Sequence, residues 1–175
     1  MKLFTRFRIL NATRSMVGEV GVERVTMRGI AARANLTAPA IYRHFRNKRA
    51  LLDAVIASGY DELGRTMLRA NRTPSGARGL RTAVDQAVNF AIRYPQLTRM
   101  MLAPQTSDDP PIRRLSAQVE RCMKEGSMPY GNPETIAHIL WAQMRGQLAM
   151  RQPAAADAIR WLYGQSVEYV LARAA

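Results

Sequence analysis

Apolar residues recur along the chain at three- and four-residue spacings, and this pattern predicts helices throughout. No run alternates apolar and polar positions convincingly at period two, and no internal repeat is visible. Gly21, Asn35, Asn47, the 71–79 run, Tyr94-Pro95, the 104–111 run, the 126–133 run and Pro153 punctuate the pattern into about nine helical segments. The fold class expected is all-α.

The first predicted helix covers about residues 5–20, with a stripe of Ile9, Leu10, Thr13, Met16 and Val17, and Gly21 suits a left-handed C-terminal cap. Thr26 is a natural N-cap for a short second helix over 27–34, with Ile30 and Ala31 inward. Asn35 tolerates the left-handed backbone of a tight turn, and Leu36 plugs the corner between the helices. Thr37 caps a third short helix with Pro39 in its first turn, anchored by Ile41 and Phe45 at i and i+4. Two short helices joined by a tight turn and braced by a longer one have the geometry of a helix-turn-helix. With Ile41 and Phe45 inward, Thr37, Ala38, Ala40, Tyr42, Arg43 and His44 face outward or flank.

Asn47 then reads as the N-cap of a long fourth helix, about 48–70, with stripe Ile56, Tyr60, Leu63 and Met67. Lys48 and Arg49 in its first turn oppose the helix dipole unless a phosphate docks there; the alternative is screened surface charge. The fifth helix, about 77–94, offers Leu80, Val84, Val88 and Ile92. A kinked, Met-rich sixth follows Tyr94-Pro95 and includes Met100 and Met101. The seventh, about 112–125, offers Leu115, Val119 and Cys122; the eighth, about 134–150, offers Ile136, Ile139, Leu140 and Met144. The ninth, about 154–173, is apolar on two faces through residues that include Trp161, Leu162, Tyr169 and Val170, so it needs two surfaces to pack against.

Charge sharpens the picture. The net charge is +13, and residues 1–49 hold eleven Lys/Arg against Glu19 and Glu23, a net +9 in little more than a quarter of the chain. Such asymmetry fits a polyanion-binding head on a milder body, with nucleic acid, anionic lipid and a merely solvated basic face all open. The single cysteine excludes a disulfide framework, and with two histidines no metal site is expected. No cofactor is called for. No apolar run reaches signal-peptide or transmembrane length, so a cytoplasmic protein without membrane partner is expected. No catalytic Cys–His context, phosphate-binding Gly loop or His-rich spacing points to an enzyme; Asp108-Asp109 lie in a Pro-rich loop as solvated charge.

Three segments, Val25-Thr26-Met27-Arg28-Gly29-Ile30-Ala31, Leu36 to Phe45 and Asn47-Lys48-Arg49-Ala50-Leu51-Leu52-Asp53, agree in spacing and residue type with one known family. Residues 5–56 resemble the tetracycline-repressor (TetR) family of transcriptional regulators. Val17, Asn35 and Gly29 depart from its usual aromatic, glycine and charged residue, and Gly29 loosens the second helix by up to ~1 kcal/mol against alanine. Trp141 and Gly146 also resemble the C-terminal domain type marked by a Trp…His-Gly pattern, with Arg145 in the His position.

The resemblance implies a helix-turn-helix DNA-binding domain over 1–48 and a ligand-binding and dimerisation domain over 49–175. Thr26 and Arg28 would contact the DNA backbone, Arg28 alternatively a guanine. Thr37, Ala38, Pro39, Ala40, Tyr42 and His44 would lie in or beside the major groove with Arg43 flanking, and Lys48 would hold a phosphate. His44 reads equally as a packed imidazole. Leu63, Met67, Val84, Val88, Ile92, Met100, Met101, Val119, Leu140 and Met144 would line an adaptable apolar pocket, plain core packing being the alternative at each. Asn89, Gln118, Gln143 and Arg145 are candidate polar contacts there. Trp161, Leu162, Gln165 and Tyr169 would face a second subunit in a four-helix interface.

The function expected is a homodimeric regulator, a repressor, that binds double-stranded operator DNA and is released by a small, largely apolar effector. An effector-independent architectural DNA-binding protein and a helical carrier of apolar ligands are the alternatives.

Overall fold

The computed structural model describes residues 2–102 and 110–149, together with Glu168. Its regular structure is helical: α1 (Lys2–Val20), α2 (Met27–Arg33), α3 (Ala38–Tyr42), α4 (Lys48–Met67), α5 (Gly76–Arg93), α6 (Pro95–Met101), α7 (Pro110–Lys124) and α8 (Pro133–Ala149). A 3-10 segment, Leu68–Arg72, follows α4 and replaces the α-helical continuation to residue 70 that the sequence pattern suggests. The ninth helix and its interface candidates Trp161, Leu162, Gln165 and Tyr169 lie outside the described residues.

Two compact units divide the chain. One comprises residues 1–59 and 94–101, the other 60–93 and 102–175. In the first, Ile9, Val17, Val25, Ile30, Ile41, Phe45, Leu51 and Val55 form a closed apolar core between α1, α2, α3 and the start of α4. The buried Thr13 hydroxyl donates to the Ile9 carbonyl at 2.8 Å, so it costs this core no unmet polar group. α6 approaches α4 so closely that a Cβ on Gly59 would sit 2.8 Å from Met101 Sδ and 3.3 Å from the Leu97 methyls. Here a glycine is a packing requirement.

The second unit is built on α5, α7, α8 and the end of α4. Leu80, Val84, Val88, Leu115, Val119, Cys122, Leu140 and Met144 are buried in it, and the Trp141 ring meets Tyr60 edge-on at 6.4 Å. Burial pushes the Cys122 thiol up to about 11, which makes it an inert core side chain. α5 and α7 touch backbone to backbone: a Cβ on Gly76 would stand 2.6 Å from Cys122 N.

Two stripe positions are corrected. Ile92 is 48% exposed, because residues spaced by four drift about 40° per step around a helix. Three steps carry Ile92 roughly 120° from Leu80, and Ala83, Ala87, Phe90 and Ala91 complete the inner face instead. Ile139 is 60% exposed: the inner face of α8 is set by Ala137, Leu140, Trp141 and Met144, and Ile139 points roughly 150° from its centre.

Candidate nucleic-acid interface

Capping fixes where each short helix of the head begins. The Thr26 hydroxyl accepts from Gly29 N at 3.1 Å, satisfying an otherwise orphaned donor of α2. α2 ends where the chain turns through Asn35, at φ +50°, and Leu36 N donates back to the Ala31 carbonyl at 2.8 Å. Thr37 occupies the N-cap of α3 in extended geometry, but its hydroxyl makes no cap bond, contrary to its expected capping role. The Thr37 carbonyl instead accepts from Ala40 N and Ile41 N, with Pro39 in the first turn. At α4 the Asn47 side chain does cap, accepting from Ala50 N at 2.8 Å.

Ile41 is fully buried and Phe45 nearly so, and this pins the rotation of α3 about its axis. The opposite face is left to solvent. Thr37, Pro39, Tyr42 and Arg43 are exposed, with Ala38, Ala40 and His44 half-buried beside them; Tyr42 is 50% exposed. At the ends, Thr26 and Arg28 are exposed and Lys48 is half-buried. None of the ten residues expected to read DNA is in the core. The Lys48 ammonium donates to the Glu23 carbonyl at 3.2 Å, a hold weak enough to be exchanged for a phosphate oxygen.

The electrostatics of this unit favour an anion. Of its two acids before residue 50, Glu19 is taken up by Arg33: Arg33 Nη2 donates to Oε2 at 2.7 Å, and Nη1 to Oε1. That pairing, with help from the Ser15 hydroxyl at 2.9 Å, holds the Glu19 carboxyl below the ordinary carboxylate range. Arg49 pairs with Asp53 one turn along α4 at 3.0 Å.

One contributor escaped the sequence reading. α1 begins at Lys2 rather than near residue 5, and Arg6 stacks over the Phe45 ring, 4.5 Å from its centroid. The contact brings an exposed cation to the end of α3. Its signal was the helical spacing of Leu3, Phe4 and Phe7, which extends the first helix toward its start. Those three apolar residues are exposed, and Phe4 and Phe7 border an open groove of about 500 Å³ with Arg8, Asn11, Ser15 and Arg33. Apart from the turn, this groove shares no residue with the α3 face.

A model of bacterial regulatory proteins of the tetR family matches residues 9–55, which include α2, α3 and their capping residues. A tetracycline repressor protein of class A from Escherichia coli is 43% identical over 70 residues. That alignment covers 40% of this chain and 29% of the repressor. An uncharacterized HTH-type transcriptional regulator of Mycobacterium tuberculosis is 26% identical over 137 residues, covering 74% of this chain and 72% of the regulator. A TetR-family segment, residues 9–55, thus makes up the head of the chain. The chain spans less than a third of the tetracycline repressors it matches, so the likeness to them is one of the TetR head. The fold likeness extends further. SmeT, the repressor of the Stenotrophomonas maltophilia multidrug efflux pump SmeDEF, superposes with a TM-score of 0.71 at 24% identity, over 96% of this chain and 89% of SmeT. AibR, solved in complex with isovaleryl coenzyme A and operator DNA, gives 0.67 at 18% identity, over 95% and 98%.

Beyond the matched segment, Leu63, Met67, Val84, Val88, Val119, Leu140 and Met144 are buried within the second unit. Met101 is buried and Met100 half-buried in the first unit, and Ile92 is at the surface. Of the polar candidates, Gln118 is buried and donates to Asn71 Oδ1 at 2.6 Å, Arg145 is half-buried, and Asn89 and Gln143 are exposed. Trp141 and Arg145 both lie on α8, one turn apart. The indole N–H of Trp141 and the Nε–H of Arg145 are shut off from water without a hydrogen-bond partner. An unmet buried donor costs about 1–3 kcal/mol.

Proposed function

We propose that the chain is a dimeric operator-binding repressor, released from DNA by a small, largely apolar effector. The observation that carries the reading is the face of α3: small or polar side chains and one half-exposed tyrosine outward, two anchors inward, within the first 49 residues of net +9. Small residues at the start of α3 let its backbone approach base edges, while Thr26, Arg28 and Lys48 flank it as phosphate contacts. Residues 1–48 act as the reading head and 49–175 as the ligand-binding and dimerisation body.

Dimerisation draws support from α8. Thr135, Ile139, Ala142 and Gly146 recur at helical spacing and are exposed, a small and apolar stripe suited to a second copy. A dimer would set two α3 helices in major grooves about 34–36 Å apart. SmeT as a repressor and AibR as a protein seen with both a coenzyme A thioester and operator DNA support the effector reading by likeness of fold. Effector binding would bias α4, which runs from the head into the body, between two arrangements; the coupling required is about 1–3 kcal/mol.

Fluorescence anisotropy against the DNA flanking its own gene, with scrambled competitor, tests the proposal. Tight, competitor-resistant binding to a palindrome supports it. Equal binding to scrambled DNA would favour an architectural protein, and no binding at low salt by a folded dimer would leave the carrier.

A further inference from the structure

We infer that Trp141 and Arg145 form the recognition point for a carboxylate, and that the effector is an amphipathic monoanion with an apolar tail. The inference rests on the effector reading above and gives it a ligand class. Trp141 is 5% exposed, and its Nε1–H finds no acceptor. One turn on, Arg145 donates through Nη2 to the Leu102 carbonyl, which holds the guanidinium in place, while its Nε–H is buried without a partner. No carboxylate among the described residues pairs with Arg145. The site thus offers two unmet donors and one uncompensated, half-buried positive charge on the same side of α8.

A neutral carbonyl or hydroxyl would meet a donor and leave the charge alone. A carboxylate meets both requirements, since it carries two acceptor oxygens and a single negative charge. What surrounds the pair sets the rest of the ligand. Leu140 and Met144 are buried beside it on α8, and Tyr60 stands edge-on to the indole, so the remainder of the molecule is received by apolar surface.

Titration calorimetry of the intact protein with octanoate, octanol and octylamine tests this, with operator binding measured in parallel. Octanoate is expected to bind at least about tenfold more tightly than octanol, and octylamine more weakly than either, as a charge-assisted bond replaces a neutral one. Arg145→Gln is expected to erase the preference for octanoate while leaving octanol unchanged, and Trp141→Phe to weaken octanoate a few-fold. Equal binding of octanoate and octanol by the unmodified protein overturns the carboxylate site but leaves an apolar effector standing. That comparison needs no variant to fold. Binding of none of the three by a protein that still holds its operator overturns the effector reading and this inference together.

Discussion

Tyr42 and Thr26 show how differently two exposed residues of the head are employed. Tyr42 projects from α3 with half its surface in water and a buried neighbour, Ile41, fixing its direction. Tyr42→Ala is expected to weaken operator binding by about tenfold or more, the scale of one good groove contact, with an unchanged melting temperature. Thr26 already uses an acceptor lone pair of its hydroxyl on Gly29 N, leaving its O–H free to donate to a phosphate. Thr26→Ala is therefore expected to cost about 1 kcal/mol of stability, read from urea midpoints, in addition to any loss of DNA affinity. Gly29 looks like a weakness by propensity alone. In the structure, however, a Cβ there would lie 3.2 Å from that capping hydroxyl and 2.9 Å from the flexible Met16 Cε, so crowding offsets the helical gain. Gly21, Asn35, Thr26 and Asn47 were legible in the sequence because each acts on backbone within four residues of itself. The idle Thr37 hydroxyl was not, because residue type names the cap position without choosing between side chain and backbone.

Among elements, the close approach of α5 and α7 turns on Gly76. A methyl group there meets the backbone of Cys122 and Arg121 rather than a movable side-chain tip, so Gly76→Ala is expected to destabilise by about 1–3 kcal/mol, measured by chemical denaturation. The Gly76 N–H also donates to Glu125 Oε2 at 2.5 Å, tying the start of α5 to the end of α7. That bond, aided by Arg121, holds the Glu125 carboxyl below the ordinary carboxylate range. A carboxyl depressed in the folded state contributes stability above its unfolded value of about 4.3, and loses it as pH falls through the folded value. The stability gap between the wild type and Glu125→Gln is thus expected to be open at pH 7 and to close on acidification below about 4.3; a gap independent of pH would deny the tie. Helix existence was readable from apolar spacing, and α2 and α5 fall within one or two residues of the sequence reading, whereas α3 ends at Tyr42, short of its expected anchor Phe45. Facing was less so. Steps of four residues name a stripe but conceal its drift, which carried Ile92 out of the core, and Ile139 shows that an isoleucine in a helix need not face inward.

At the scale of the molecule, charge and fold act together. With +9 on the first 49 residues, and twice that in a dimer, operator affinity is expected to fall about 10³- to 10⁵-fold between 50 and 200 mM salt. A slope of log affinity against log salt near zero would remove phosphate contact from the account. By itself the sequence determined the helical class, the helix-turn-helix with the caps at Thr26 and Asn47, and the basic head, because these depend on local backbone preference, periodicity and summed charge. Tertiary structure alone decided that Arg33 neutralises Glu19, that Arg6 stacks on Phe45, that Gly76 lies against Cys122, and that two donors on α8 are buried unmet. Apart from the α8 pair, these join residues 14 to 46 positions apart, and all depend on how helices pack. No local preference encodes such a meeting; it exists only once packing has brought the elements together.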